Sequence, residues 1–261
     1  MIILYLLIFF LGASLGSFIN MLVYRVPKNE SLWGHSYNDI TGERLENIDL
    51  IPIVSFVIFK GRDRKTKEKL PLIYPLIEFV SGLISSAILF ILITNLSIEI
   101  NLLVQFILWQ ILVFGLVFFS AYDYFNWSLP RKYLIGFLIV SLLILLIDHF
   151  IQSQFIISFF NSSIIAGVIS AGFVAILVLI SRGKGLTIND VLLAGYAGML
   201  VGNDEILYLL LGTSILGSAF GLFAMLKAKK KVETLIQFAP ILCSVTIILM
   251  FIQVSDYRIL F

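Results

Sequence analysis

Cysteine is almost missing from this chain: Cys243 is the single one in 261 residues, and it lies inside an apolar run near the C-terminus. No intrachain disulfide can form, no cysteine-built metal cluster can assemble, and Cys243 reads as a small buried apolar residue. Histidine is nearly as scarce, with only His35 and His149. They are expected on opposite sides of a membrane, so they cannot share a site. Charge is depleted too, at 13% of residues against 60% hydrophobic. A soluble globular domain carries about a quarter charged residues, so that class is excluded and an integral membrane protein is indicated.

What is abundant is apolar sequence in long runs. A helix needs about 20 residues to cross roughly 30 Å of hydrocarbon. The runs 2–22, 73–94, 102–122, 133–151, 156–180, 191–203, 206–226 and 234–253 supply eight spans, the sixth being short. The fold class is therefore all-α, a polytopic helical bundle. Lys and Arg are retained on the cytoplasmic side of short loops. Placing the N-terminus outside puts Arg25 to Lys69, Arg131, Lys132, Arg182, Lys184 and Lys227 to Lys231 on one face, and leaves Arg258 on the other. The net charge of +2 is thus a topology signal, and no nucleic-acid partner is expected. The first run lacks a basic start and a small-residue cleavage pattern, so it reads as a retained helix.

The polar stretch from Val26 to about Leu72 carries eight Lys or Arg against seven Asp or Glu. It is too short to bury much core alone and is expected to lean on the membrane domain. Within it, DLIPIVSFVIF (49–59) reads as an interfacial or partly re-entrant piece and KGRDRKTKEK (60–69) as a solvated turn or short ribbon. Gly12, Gly16 and Ser17 sit at close-packing spacing in the first run, where Asn20 needs a hydrogen-bond partner.

Acids are few enough to enumerate. Seven lie in the polar stretch, five in outer turns or the C-terminal tail, and Glu233 lies among lysines, which leaves Glu78, Asp123 and Asp190 near inner boundaries. Asp123 closes the third span and Asp190 opens the sixth on the same side. Two carboxyl groups brought within a few ångströms share one proton, the ionised partner then taking a proton from water while the protonated one polarises a peptide carbonyl. Pro130, Arg131 and Lys132 start and anchor the following helix. Boundary acids also serve as plain helix caps. A non-catalytic membrane scaffold or small-solute transporter, using Asn20, Asp123 and Asp190 for packing or a polar pathway, is the other reading of the same residues.

Several motifs resemble one family along nearly the whole chain. GASLGSFINMLVYRVP (12–27), with Gly16, Ser17, Phe18, Asn20, Arg25 and Pro27, resembles the opening of type IV prepilin peptidases. DLIPIVSFVIFKGRDRK and LPLIYPLIEFVSG follow in register at Asp49, Pro52, Gly61, Arg62, Tyr74, Pro75 and Glu78. AYDYFNWSLPRK and NDVLLAGYAGMLVG resemble the segments of the two catalytic aspartates, and IQFAPIL (236–242) resembles the entry to the last helix. The resemblance implies a membrane aspartic endopeptidase with Asp123 and Asp190 as its catalytic pair. It would cut the basic leader from prepilins or pseudopilins at the cytoplasmic face of the bacterial cell membrane, with no cofactor for the cleavage. It further implies a first helix (1–24), a cytoplasmic loop associated with methyl transfer (25–72) and a peptidase domain (73–261). Many members also N-methylate the new N-terminus with S-adenosylmethionine.

Two departures stand out. The family's Gly-x-Gly-Asp is Thr187-Ile188-Asn189-Asp190 here, with Leu192 where a lysine often follows. Asn189 is expected to supply a left-handed turn, or Gly183 and Gly185 the flexibility. The two Cys-x-x-Cys pairs of many relatives are Asn38, Thr41, Asp63 and Thr66, so no zinc is expected.

Overall fold

In a computed structural model, residues 1–34, 37, 46, 48–64, 66–95, 100–151, 160–183, 185–228 and 237–256 are described. The described residues are helical, apart from turns and a single antiparallel bridge between Arg62 and Lys69. Five stretches are long and apolar enough to cross a membrane, namely Ile2–Lys28, Ile73–Thr94, Leu102–Asn126, Ser162–Ile180 and Ile188–Phe223, and Phe238–Ile252 is a shorter apolar helix. The chain is thus a polytopic helical membrane protein. It divides into two compact units, Met1–Thr94 and Asn95–Phe261.

The first unit begins with α1 (Ile2–Arg25), which runs into a 3-10 turn at Val26–Lys28. A short helix α2 (Val54–Ile58) precedes α3 (Ile73–Asn95). The small residues of α1 do what their spacing predicts. A methyl group added at Gly16 would lie 2.7 Å from Glu78 Cα and 2.9 Å from Ile77 O, so α1 and α3 meet backbone to backbone there. Asn20 finds its partner on α3's first turn, donating from Nδ2 to Tyr74 O at 3.1 Å. Glu78 accepts a 2.7 Å bond from the Ile53 amide, which ties the start of α2 to α3. Of the four positions aligned with the zinc cysteines, Asn38 and Thr41 lie outside the described residues. At the other two, Asp63 Oδ1 accepts from Thr66 N (2.7 Å) and Oγ1 (3.0 Å), closing the turn with hydrogen bonds. Arg64 next to it pairs with Glu46 and, at 3.7 Å, with Asp49.

The second unit holds α4 (Ile100–Asn126), α5 (Arg131–Ile151), a π-helical turn (Phe160–Ile164), α6 (Ile165–Ile180), α7 (Ile188–Ala228) and α8 (Phe238–Asp256). The third span therefore continues past residue 122. Asp123 stands in the last turn of α4, followed by Trp127, whose left-handed φ of 52° and bond from its amide to Asp123 O end the helix. Pro130 caps α5, and its carbonyl accepts from Tyr133 N and Leu134 N, both at 3.0 Å.

The two spans expected at 191–203 and 206–226 form one run, α7, broken at Gly202 (φ 75°, ψ −179°). Those angles are accessible essentially to glycine alone. Ser170 of α6 would crowd a methyl group at Gly198, yet it shares a cavity with Thr213. Fifteen residues of straight helix would separate 198 from 213 by about 22 Å, so the break bends α7 and lets both halves reach α6. Gly202→Ala is expected to lower unfolding stability by about 1–3 kcal/mol, measured by thermal unfolding in detergent, with Gly136→Ala, an open helical site, as the unaffected control.

Candidate functional site

The site builds from the ends of three helices in the second unit. Asp123 is 7% exposed and Asp190 6%, so both acids are withdrawn from solvent. Asp123 Oδ2 accepts from the Ala239 amide at 3.2 Å, in the first turn of α8. The same turn is held by Gln237, whose Nε2 donates to Asp123 O (2.9 Å) and Tyr124 O (2.7 Å). A helix leaves its last carbonyls without intrahelical partners; Gln237 supplies a donor to Tyr124 O and adds a second one to Asp123 O, which the Trp127 amide also reaches.

Asp190 stands at the third position of α7, behind Thr187. Its Oδ2 accepts from Thr187 N at 2.6 Å and from Thr187 Oγ1 at 2.8 Å, while the Asp190 amide donates to Thr187 O. A Thr-x-x-acid stretch that caps a helix start by side chain to backbone bonding is a capping box in outline. The expectation for this segment is corrected accordingly. Asn189 is helical, not left-handed, and the positive φ values fall at Arg182, Gly183 and Gly185. Thr187 initiates the helix and holds the acid. Asn189 instead donates from Nδ2 to Leu129 O at 3.0 Å, pinning the start of α7 to the turn that follows Asp123.

That pin is what brings the acids together. Asp190 follows Asn189 directly, so the bond to Leu129 O holds it at the turn that succeeds Asp123 in sequence. Behind them an aromatic cluster fixes the helices: Phe119 meets Phe137 at 5.4 Å and Tyr196 at 6.3 Å, and the Tyr196 hydroxyl donates to Leu112 O at 2.5 Å. Each such ring pair contributes about 0.5–1.5 kcal/mol beyond its buried area. α4, α5 and α7 are thereby held in one geometry, as an acid pair requires.

Next to Ala239, Phe238 borders a cavity of about 270 Å³ between α6, α7 and α8. Leu177, Leu210 and Leu242 make it apolar, and Gly217 and Ser218 leave room. Glu78, the third acid singled out by sequence, belongs to the first unit and serves the Ile53 amide. Cys243 is buried in α8. Among the described residues, no group of three or more His, Cys, Asp or Glu could hold a metal ion. Thr187, Asn189, Gln237 and Ala239 were not identified from sequence as site residues. The Thr-x-x-Asp spacing ahead of an apolar run was the readable signal for the first.

Residues 10–92 match the family described as the bacterial peptidase A24 N-terminal domain. The prepilin leader peptidase/N-methyltransferase of Vibrio cholerae serotype O1 is 31% identical over 84 residues, 28% of this chain and 33% of that protein. The match thus spans about a third of that relative's length. No solved structure matches the chain. Motifs and comparisons agree in direction: residues 10–92 are similar to the bacterial peptidase A24 N-terminal domain, and the matched relative is a prepilin leader peptidase.

Proposed function

We propose that this protein is a prepilin leader peptidase of the bacterial cytoplasmic membrane, cutting the basic leader from type IV prepilins or pseudopilins on the cytoplasmic side. The observation that carries the reading is the Asp123/Asp190 arrangement: two buried acids at helix ends that the Asn189–Leu129 bond ties together, each anchored through Oδ2. Anchoring Oδ2 assigns the other oxygen of each acid to the chemistry. One ionised carboxylate takes a proton from water, and the hydroxide equivalent attacks the scissile carbonyl. The protonated partner donates to the carbonyl oxygen; the peptide C–N bond then breaks, the amine taking the proton drawn from water while the diol returns the other proton to the partner acid. Burial keeps bulk water from competing for those bonds.

The substrate's hydrophobic helix would lie against α6, α7 and α8 and place one or two side chains in the cavity that Phe238 borders, with its leader emerging at the acids. A methyl group at Gly217 would meet nothing within 4 Å, so the site has space for a side chain. Gly217→Leu fills the cavity from that side. It is expected to raise KM for a synthetic prepilin by about tenfold or more, with kcat little changed and unfolding temperature unaltered. An unchanged KM would remove the cavity from the substrate path. The overall reading is tested by incubating the purified full chain with a synthetic prepilin and weighing the products. A substrate recovered intact overturns it.

S-adenosylmethionine, implied by the methylating members of the family, would bring a sulfonium cation. The first unit's open cavity of about 510 Å³ is lined by Lys60, Arg62, Arg64 and Lys67 with Asp63, which does not fit a cationic cofactor. No methyl-transfer step is assigned to these residues. The mass of the processed pilin's first residue measures that activity directly.

A further inference from the structure

We propose that residues 53–72 dock on the surface of an anionic bilayer, α2 seating its apolar side chains among the headgroups while the basic hairpin behind it binds lipid phosphates. The inference rests on the first unit alone and is independent of the peptidase reading.

The hairpin is ordered by bonds from Leu70 N to Gly61 O (2.9 Å) and from Asp63 N to Glu68 O (2.8 Å), with Arg62 opposite Lys69. Left-handed backbone at Lys60, Gly61 and Lys67 makes its turns. Residues 60–69 hold six Lys or Arg against two acids. Of the two acids, Asp63 turns its carboxylate to Thr66, and Glu68 is exposed, so four cations outweigh one outward acid. Arg64 is drawn toward Glu46 and Asp49, so the basic surface is chiefly Lys60, Arg62, Lys67 and Lys69. Three of these four line the 510 Å³ cavity, room enough for a phosphate group.

Beside the cations, the apolar side chains face outward. Val57 is 67% exposed and Ile58 54%, and Leu72 is exposed as well. Large apolar side chains flanked by cations form the signature of an interfacial segment. Connectivity then sets the distance. Leu70 closes the hairpin three residues before Ile73, where a membrane-crossing stretch starts. Three residues reach at most about 10 Å, close to the screening length of about 8 Å at physiological salt. The hairpin therefore stays within the field of the adjacent leaflet. Each Lys or Arg so placed favours an anionic surface by about fivefold.

The test uses the full chain with Val57→Cys carrying a depth-sensitive spin label, Cys243 being buried and unreactive. The label is read in nanodiscs of phosphatidylcholine and of phosphatidylcholine with one lipid in three replaced by phosphatidylglycerol. The expected result is a rise of about tenfold or more in the lipid-immersed fraction with phosphatidylglycerol. Replacing Lys60, Arg62, Lys67 and Lys69 together by Gln should abolish the rise, as should raising salt from about 0.15 M to about 1 M. Because the Arg62–Lys69 bridge is made by backbone, the hairpin survives the change, which an unaltered unfolding temperature verifies. Equal immersion in both lipids overturns the proposal. So does inorganic phosphate reproducing the shift in neutral discs, or water exposure of the label in both.

Discussion

Asparagine at position 123 is expected to leave a synthetic prepilin essentially uncut, slowing cleavage by at least about 10²–10⁴-fold, the range for losing a positioned proton-transfer group. Asparagine keeps an oxygen that can accept from the Ala239 amide, so the junction between α4 and α8 should hold and the protein should remain folded. Asp190→Asn is expected to behave alike, since an amide oxygen still accepts from Thr187 N and Oγ1. The double variant separates a working pair from two independent caps. Groups acting as one unit lose activity once, so the double variant should be about as slow as either single one. The measurement is single-turnover cleavage followed by mass, beside a thermal unfolding curve. Full activity in either single variant would return the acids to a capping role and leave the scaffold or transporter reading standing.

The second large effect is structural. A methyl group at Gly198 would lie 2.6 Å from Ala166 O and 2.7 Å from Ser170 Cβ, and at Gly167 one would lie 2.5 Å from Met199 Cγ. At Gly198 the α7 backbone therefore meets the α6 backbone directly, while Met199 packs onto Gly167, the kind of close contact on which helix association in lipid depends. Because a carbonyl oxygen cannot rotate away as a side-chain end can, Gly198→Leu must separate the helices. The expected cost is about 3 kcal/mol, the upper end for overpacking, read as a lowered unfolding temperature in detergent or bicelles. Gly217→Leu on the same helix, placed over open space, is the control that should unfold normally. Equal stability for the two would show that α6 and α7 are not packed so closely.

The helical class was legible because hydrocarbon thickness is a strong rule, and long apolar runs admit few other structures. The candidate acids were reached for a different reason, scarcity: with most carboxyl groups assigned to loops by topology, Glu78, Asp123 and Asp190 remained, and the shared side of Asp123 and Asp190 singled out that pair. The details that were not legible depend on single backbone angles or single bonds. The break in α7 looked as if it belonged to the acids at 204 and 205, whereas the chain departs from helix at Gly202, where only a residue without Cβ can follow. Thr187 looked like the loss of a needed glycine because the family pattern directed attention to flexibility. Its contribution appears only once α7 is known to start at Ile188, which makes residue 187 a cap and residue 190 its partner. The fit of Gln237 to two carbonyls 113 and 114 residues earlier has no signature in composition or spacing at all.

Gln237 also decides how this end of the molecule can come apart. One amide nitrogen bridges Asp123 O and Tyr124 O while the next turn of its own helix grips the Asp123 carboxylate. Fraying of α4 thus cannot proceed one peptide at a time; it must release the head of α8 in the same event. Amide exchange at the two termini should share a single opening rate.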